Sequence, residues 1–225
     1  MRAKALTIIK DNAREIASLA MKRFSDNQRQ RLMIAIAGAP GSGKSTIAER
    51  VVDLIISESG IAAALFPMDG YHYDDAVLEA MGRRAFKGAI DTFDVHGLRH
   101  MLERLKANED DVIAVPVFDR SIEIARAGGR LIPQSVEIIV CEGNYLLAKQ
   151  SPWDRLKPIF DFTVFVDVDV EEDDLRERLR ARWRGFGLDA AEIDRKVEEN
   201  DLPNGIFIMK TAAEPDLRLK NPGSE

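Results

Sequence analysis

The chain is poor in the residues that build metal centres and disulfide frameworks. Among 225 residues it has one cysteine, Cys141, and three histidines, His72, His96 and His100. A single thiol forms no intramolecular disulfide, and Cys141 lies inside an apolar run, which fits a reducing cytoplasm. The histidines and the cysteine have no spacing that would hold zinc. Long apolar runs are also missing, since none approaches the roughly 18 residues of a membrane span. The N-terminal stretch is interrupted by Lys10, Asp11, Arg14 and Glu15 and has no signal-peptide core. Nor is there an excess of basic charge: 32 Lys plus Arg stand against 38 Asp plus Glu, a formal net charge of −6. Nucleic-acid binding and membrane insertion are not expected, and the expected location is the cytoplasm. No Gly-x-Ser-x-Gly arrangement points to a hydrolase. No repeat, low-complexity tract or linker divides residues 1–225, which read as a single domain.

What is present begins with Leu32 to Ile47. Gly38, Gly43, Lys44 and Ser45 satisfy G-x-x-x-x-G-K-[ST], the phosphate-binding loop. An apolar run of strand length, Leu32 to Ala37, precedes it. A helical pattern with Ile47, Val51, Leu54 and Ile55 follows it to about Ser57. Glycines let successive backbone N–H groups turn inward on phosphate oxygens, and the helix start adds its positive end. The residues expected around the phosphates of ATP are Gly38, Ala39, Pro40, Gly41, Ser42, Gly43, Lys44, Ser45 and Thr46. Lys44 reaches the terminal phosphates and Ser45 is a ligand for Mg²⁺.

The rest of the chain alternates strands with helices, the mark of an α/β fold on a mainly parallel sheet. Ala3 to Phe24 reads as an amphipathic helix, and Ser25 to Arg31 as a polar connector, so residues 1–30 flank the core domain. Ile61 to Pro67 is a strand ending in Met68-Asp69-Gly70-Tyr71-His72. Asp74 to Asp94 holds a short helix and a loop, and His96 to Ala107 is a helix. Val112 to Val117 is a short edge strand interrupted by Pro116. Residues 118–129 read as irregular. Val136 to Cys141 and Phe162 to Val168 are buried strands. A turn and short helix are expected at Pro152 and Trp153. Asp169 is placed to cap a helix, with Glu172 in capping-box position and Glu171 in the first turn. Asp189 to Asn200 is a further helix, and Pro215 to Leu219 a last short strand before a frayed tail, Asn221 to Glu225.

A phosphate loop alone fits many nucleotide-driven proteins. The Asn-Lys-x-Asp pattern of GTPases and the Leu-Ser-Gly-Gly-Gln signature of transporter ATPases are both missing, and the chain is small for a helicase core. Two acidic strand ends and a helix carrying Arg176, Arg178, Arg180, Arg182 and Arg184 are what phosphoryl transfer to a small molecule needs. Arg176, Arg180 and Arg184 share one helix face, and Arg178 with Arg182 forms a second stripe. With Gly185 and Gly187 following, residues 171–188 read as a lid of cations on a hinge. A solvated face paired with Glu171, Glu172 and Glu177 is the alternative for some of these arginines. An ATP-binding regulator without turnover is the competing class.

The phosphate loop, Met68-Asp69-Gly70-Tyr71, Pro116-x-Phe118-Asp119, Cys141-Glu142-Gly143-Asn144 and the arginine helix occur in the order seen in a group of P-loop kinases. The chain from about Leu32 to Leu217 resembles that group, which includes uridine kinase, phosphoribulokinase and bacterial pantothenate kinase. It is most similar to a subgroup called fructokinase or fructose-transport-associated kinase. The resemblance implies a three-layer P-loop nucleoside triphosphate hydrolase fold with a five-stranded, mainly parallel sheet and a helical lid. It implies an ATP- and Mg²⁺-dependent kinase acting on a hydroxyl of a small metabolite. Asp69 then matches the catalytic base, Lys44, Arg178 and Arg182 the charges on the transferring phosphoryl, and Glu142 the Mg²⁺ residue beside Ser45. Tyr71, His72, Asp94, Asp119 and Arg120 match acceptor-binding positions. On the residues alone, turn capping is the alternative for Asp69, Tyr71 and His72 can pack against the loop, and Asp94 remains evenly balanced. Arg126 is either an acceptor contact or solvated, Trp183 is read as core, and Asn200 to Asn204 has no assigned role. The Phe118-Asp119-Arg120 segment, where uridine kinases often read Tyr-Asp, lacks their familiar histidine, which argues against an ordinary uridine kinase. A carboxylate-rich pocket suits a polyhydroxylated ligand, so the expected order of acceptors is a sugar such as fructose, then a nucleoside, then pantothenate. A homodimer is left open.

Overall fold

The computed structural model describes residues 2–26, 30–168 and 172–221. The expected cap at Asp169, its neighbour Glu171 and the tail beyond Asn221 lie outside these residues. Helix α1 (Arg2–Asp26) precedes β1 (Leu32–Gly38), α2 (Lys44–Ser59) and β2 (Ala63–Pro67). Then come α3 (Asp75–Ala80), α4 (Val95–Ala107), β3 (Val112–Asp119), β4 (Ile124–Pro133), β5 (Ile138–Glu142) and β6 (Phe162–Asp167). The chain closes with α5 (Glu172–Gly185), α6 (Ala190–Lys196), α7 (Leu202–Thr211) and β7 (Leu217–Lys220).

Every residue of β1 is buried, as a central parallel strand covered on both faces requires. Its side chains alternate between two cores. Met33, Ala35 and Ala37 join Leu98, Leu102 and Ile208 on one face of the sheet. Leu32, Ile34 and Ile36 join Ala13, Ile16 and Ala20 of α1 and Ile47, Val51 and Ile55 of α2 on the other. The spacing of those helical residues, three and four apart, turns one stripe of each helix to the sheet. Each fully buried Ile or Leu contributes about 1.5–3 kcal/mol.

The main sheet has five parallel strands in the order β2-β5-β1-β6-β7. Ile36 and Pro67 both pair with Glu142 in register. The carboxyl ends of β1, β2 and β5 therefore finish level, and the loops after them open on one edge. Arg31, expected in a solvated connector, is 6% exposed. Its guanidinium donates to the carbonyls of Leu105, Pro133, Gln134 and Val136, which ties the start of β1 to the end of α4 and to the turn between β4 and β5.

Two stretches differ from expectation. Residues 118–129 are not irregular. β3 and β4 form an antiparallel hairpin of their own, outside the main sheet, with a register shift between Val115 and Val117. Pro116 sits at that shift, having no N–H to give a regular ladder. The helix expected over Asp189 to Asn200 ends at Lys196, passes through a π-turn at Val197–Asp201 and continues as α7. Pro203 stands in the first turn of α7, where a missing N–H costs nothing. No helix of the described residues is long and apolar enough to cross a membrane.

Candidate active site

The phosphate loop leaves β1 and enters α2 at Lys44. Gly43 holds φ +82°, and a Cβ there would lie 2.7 Å from Asn221 Nδ2, so both the turn and the neighbour require glycine. Asn221 braces the loop by donating to Ser42 O at 2.6 Å. Lys44 is 9% exposed. Burial pushes its ammonium down, while Glu142 and then Asp69 pull it back up.

Glu142 ends β5, and its Oε2 accepts from Ser45 Oγ at 3.1 Å. Burial raises its pKa, against the pull of Lys44. A buried carboxylate beside a serine hydroxyl is a pair of hard oxygen donors, which fits Mg²⁺ held by one carboxylate with phosphate oxygens completing the shell. A cation there would relieve the burial that now favours the protonated acid.

Asp69 sits in the 3-10 turn Met68–Tyr71 directly after β2. Its Oδ2 accepts from Arg120 Nη2 at 2.7 Å. Its backbone O accepts from His72 Nδ1 at 2.7 Å. A carbonyl only accepts, so Nδ1 carries the proton. The His72 ring packs between Phe93 and Phe118, with centroids 4.0 and 4.7 Å away, and burial lowers its pKa. Burial also pushes Asp69 up, but His72, Arg120, Lys44 and Arg182 together hold it below its ordinary value. The two carboxylates are thus driven apart: Asp69 stays ionised and Glu142 takes up a proton more readily.

A cavity of about 890 Å³, its open mouth included, runs from Pro40 past Asp69, His72 and Arg120. The loop holding Asp69 is pinned from outside by the hairpin: a Cβ on Gly70 would lie 2.6 Å from Pro116 O.

The expected acceptor residues divide. His72 and Arg120 line this cavity. Tyr71, Asp94 and Asp119 do not. Tyr71 packs on Phe66 with its hydroxyl buried and unpartnered among the described residues. Asp94 Oδ1 caps α4 by accepting from Gly97 N at 2.9 Å. Asp119 Oδ1 accepts from Ser121 N and Oγ, and its Oδ2 lies 3.3 Å from Arg126 Nε. These carboxylates are engaged by local backbone and hairpin donors. Trp183, expected in the core, is half-buried on the cavity wall and donates to Asp201 Oδ2 at 2.7 Å.

The arginines of α5 also divide. Arg176, Arg180 and Arg184 pair with acidic residues that include Glu172, Glu177 and Glu198. Arg178 Nη1 donates to Asn221 O at 3.1 Å, beside the phosphate loop rather than toward Asp69. Arg182 lines the cavity, and no hydrogen bond or ion pair engages it among the described residues. Arg84, Lys87, Glu123, Arg195 and Lys196 also reach the cavity. They come from three separate segments with no common spacing, so no motif marked them.

The sequence pattern of the Phosphoribulokinase / Uridine kinase family matches residues 33–191. A Schizosaccharomyces pombe protein named "putative uridine kinase" is 30% identical over 199 residues, covering 85% of this chain and 84% of its own. A pantothenate kinase of Enterococcus faecalis is 30% identical over 166 residues, 72% of this chain but 52% of its own length. Among solved structures, the "putative fructose transport system kinase" of Silicibacter sp. TM1040 superposes with a TM-score of 0.78 at 34% identity, covering 90% of this chain and 97% of that one. With the phosphate loop, Asp69 and the Ser45–Glu142 pair meeting at the carboxyl edge of its five-stranded parallel sheet, the chain belongs to the Phosphoribulokinase / Uridine kinase family.

Proposed function

We propose that this kinase transfers the γ-phosphoryl group of ATP to a hydroxyl of a small polyhydroxylated metabolite, with Asp69 as the base. The observation that carries the reading is Asp69, held through Oδ2 by Arg120, on the wall of a cavity that begins at the phosphate loop. The acceptor oxygen forms a bond to γ-phosphorus as the bond from γ-phosphorus to the bridging oxygen breaks. ADP leaves, and the acceptor proton passes to an Asp69 oxygen. Arg120 fixes that carboxylate through Oδ2, which leaves Oδ1 for the hydroxyl. Bound Mg²⁺ would neutralise charge on the phosphates, and Ser45 and Glu142 would hold it.

Lys44 and Arg182 stabilise the charge spread over the transferring oxygens. Arg182 suits this role because nothing in the described protein saturates its donors. Arg178, held by Asn221, acts on the phosphate loop. Residues 172–188 form the lid, whose closure brings Arg182 down and excludes water.

A sugar is the acceptor class put first, and fructose is the example that the name of the Silicibacter protein suggests. Asn144 Oδ1 is buried without a partner among the described residues, beside the cavity, and can accept from a ligand hydroxyl. Uridine and pantothenate are the second and third classes. ADP release at fixed ATP–Mg²⁺ across sugars, nucleosides and pantothenate tests the order. Saturable turnover of a sugar is expected. Strong uridine or pantothenate turnover with every sugar at background overturns the order. ATP binding with no turnover of any acceptor favours a regulator.

A further inference from the structure

The acceptor cavity is cationic in a chain that is acidic overall. Arg84, Lys87, Arg120, Arg182, Arg195 and Lys196 face it, against Asp69, Glu123 and Asp201, while the whole chain carries −6. Arg120 is bound to Asp69, and Arg182 serves the transferring phosphoryl group. Of the other four, Arg84, Lys87 and Lys196 meet Glu123 at the tip of the β3–β4 hairpin and Arg195 lines the same cavity; among the described residues, Asp75 and Glu123 are the carboxylates that pair with them.

Those four are unequally satisfied. Lys87 is fully engaged: its side chain is 9% exposed, and Nζ donates to Asp75 Oδ1 at 2.6 Å and to Glu123 O. Arg84 Nε meets Asp75 at 2.7 Å, but its Nη2 stands 3.9 Å from Glu123 Oε2. Lys196 Nζ stands 3.6 Å from Glu123 Oε1. Charge-assisted hydrogen bonds close to about 2.7–2.9 Å, so both contacts leave donors unsaturated. Arg195 is exposed, with no hydrogen-bond or ionic partner among the described residues. Glu123 itself is held at φ +52°, a left-handed conformation uncommon for a residue with a Cβ. Its carboxylate straddles Arg84 and Lys196 without closing on either. A neutral acceptor would leave this excess charge uncompensated as the lid shuts and screening falls.

We propose that the acceptor carries an acidic group, a carboxylate or a phosphate monoester, in addition to the hydroxyl that is phosphorylated. The group docks on Arg84, Arg195 and Lys196, displacing the Glu123 carboxylate. This deepens the kinase reading and rests on it: within the sugar class put first, it favours a sugar phosphate or sugar acid over neutral fructose.

Matched pairs test it: fructose against fructose 6-phosphate, glycerol against D-glycerate, and pantothenyl alcohol against pantothenate. Each is assayed by ADP release with the full chain. The expected result is at least a tenfold preference in kcat/KM for the acid member of one pair. A preference in the fructose pair alone identifies a phosphate, and one in the other two a carboxylate. Arg195→Ala and Lys196→Met should each raise KM for that acid about tenfold and change kcat little. Glu123→Gln removes the competing carboxylate and should lower the same KM, an effect of opposite sign that misfolding does not produce. Neutral members turned over as well as their acid partners overturn the proposal and leave the kinase reading standing. An acid preference unchanged by Arg195→Ala and Lys196→Met also overturns it. Turnover of none of these probes, of nucleosides or of other sugars overturns both readings together.

Discussion

Replacing Asp69 by Asn separates catalysis from nucleotide binding. The amide keeps the shape of the side chain and can still accept from Arg120, but it takes no proton. A positioned base contributes about 10²–10⁴-fold to rate, or about 2.7–5.4 kcal/mol of barrier at 1.36 kcal/mol per decade. The ground state changes far less. The Asp69–Arg120 pair is part-buried, the carboxylate 18% and the arginine 43% exposed, and the amide keeps the contact, so the stability lost stays small beside that barrier. Lys44 keeps Glu142 as its stronger electrostatic partner. Removing a carboxylate beside the γ-phosphate leaves ATP affinity unchanged or increased. Steady-state ADP release with the best acceptor, ATP titration by calorimetry and thermal melting together check these outcomes. A variant that retains kcat within about tenfold of the wild type refutes Asp69 as the base. A variant that loses ATP binding along with rate shows that Asp69 organises the loop instead.

Gly43→Ala places a Cβ 2.7 Å from Asn221 Nδ2 on a backbone at φ +82°. The strain of about 1–2 kcal/mol in the left-handed region should weaken ATP binding about tenfold, measured by calorimetry. Burial pushes Asp216 up, but hydrogen bonds from Thr163 Oγ1 and N outweigh it and hold the carboxyl below its ordinary range. Its stabilisation is therefore full above about pH 4, the unfolded-state value, and is lost as pH falls through the lower folded value. Asp216→Asn should cost about 1–2 kcal/mol at pH 7, allowing for an exposed side chain. Urea titrations should show that difference shrinking below about pH 4. Hydrogen exchange should be faster in α5 than in β5 without ligand and should slow in α5 on adding ATP and acceptor. Equal protection with no ligand response counts against a lid.

The parallel sheet was legible because its strands are unbroken apolar runs. Leu32 to Ala37 and Val136 to Cys141 cannot face water on either side, and the motifs at their ends inherit the geometry of the carboxyl edge. The hairpin was hidden for the opposite reason. Its second strand is mostly exposed, and Gly128-Gly129 breaks whatever alternation remains. Arg31 reads as polar connector because sequence does not disclose four backbone carbonyls that arrive from other segments. Asp94 and Asp119 match acceptor positions by motif, yet each is spent on N–H groups two or three residues away. The cap at Asp94 was available from pattern, since it immediately precedes a helix. The cations at the hairpin tip were not, because residues from 84 to 196 meet there only through tertiary packing.

The β3–β4 hairpin pairs with no strand of the main sheet, yet it supplies Arg120 and Glu123 to the cavity. Ile113, Val115 and Ile132 seat its base in the core on one face of the sheet, while Pro116 lies against Gly70 and Arg130 donates to Leu65 O. Its exposed outer residues contribute little to either core. Natural drift in this arm can therefore alter what is phosphorylated while the ATP half of the molecule stays as it is. Grafting a different arm between Asp111 and Gln134 is a compact way to retarget the kinase. The donor machinery would be inherited intact, and selection for a new acceptor would need to explore only some two dozen positions.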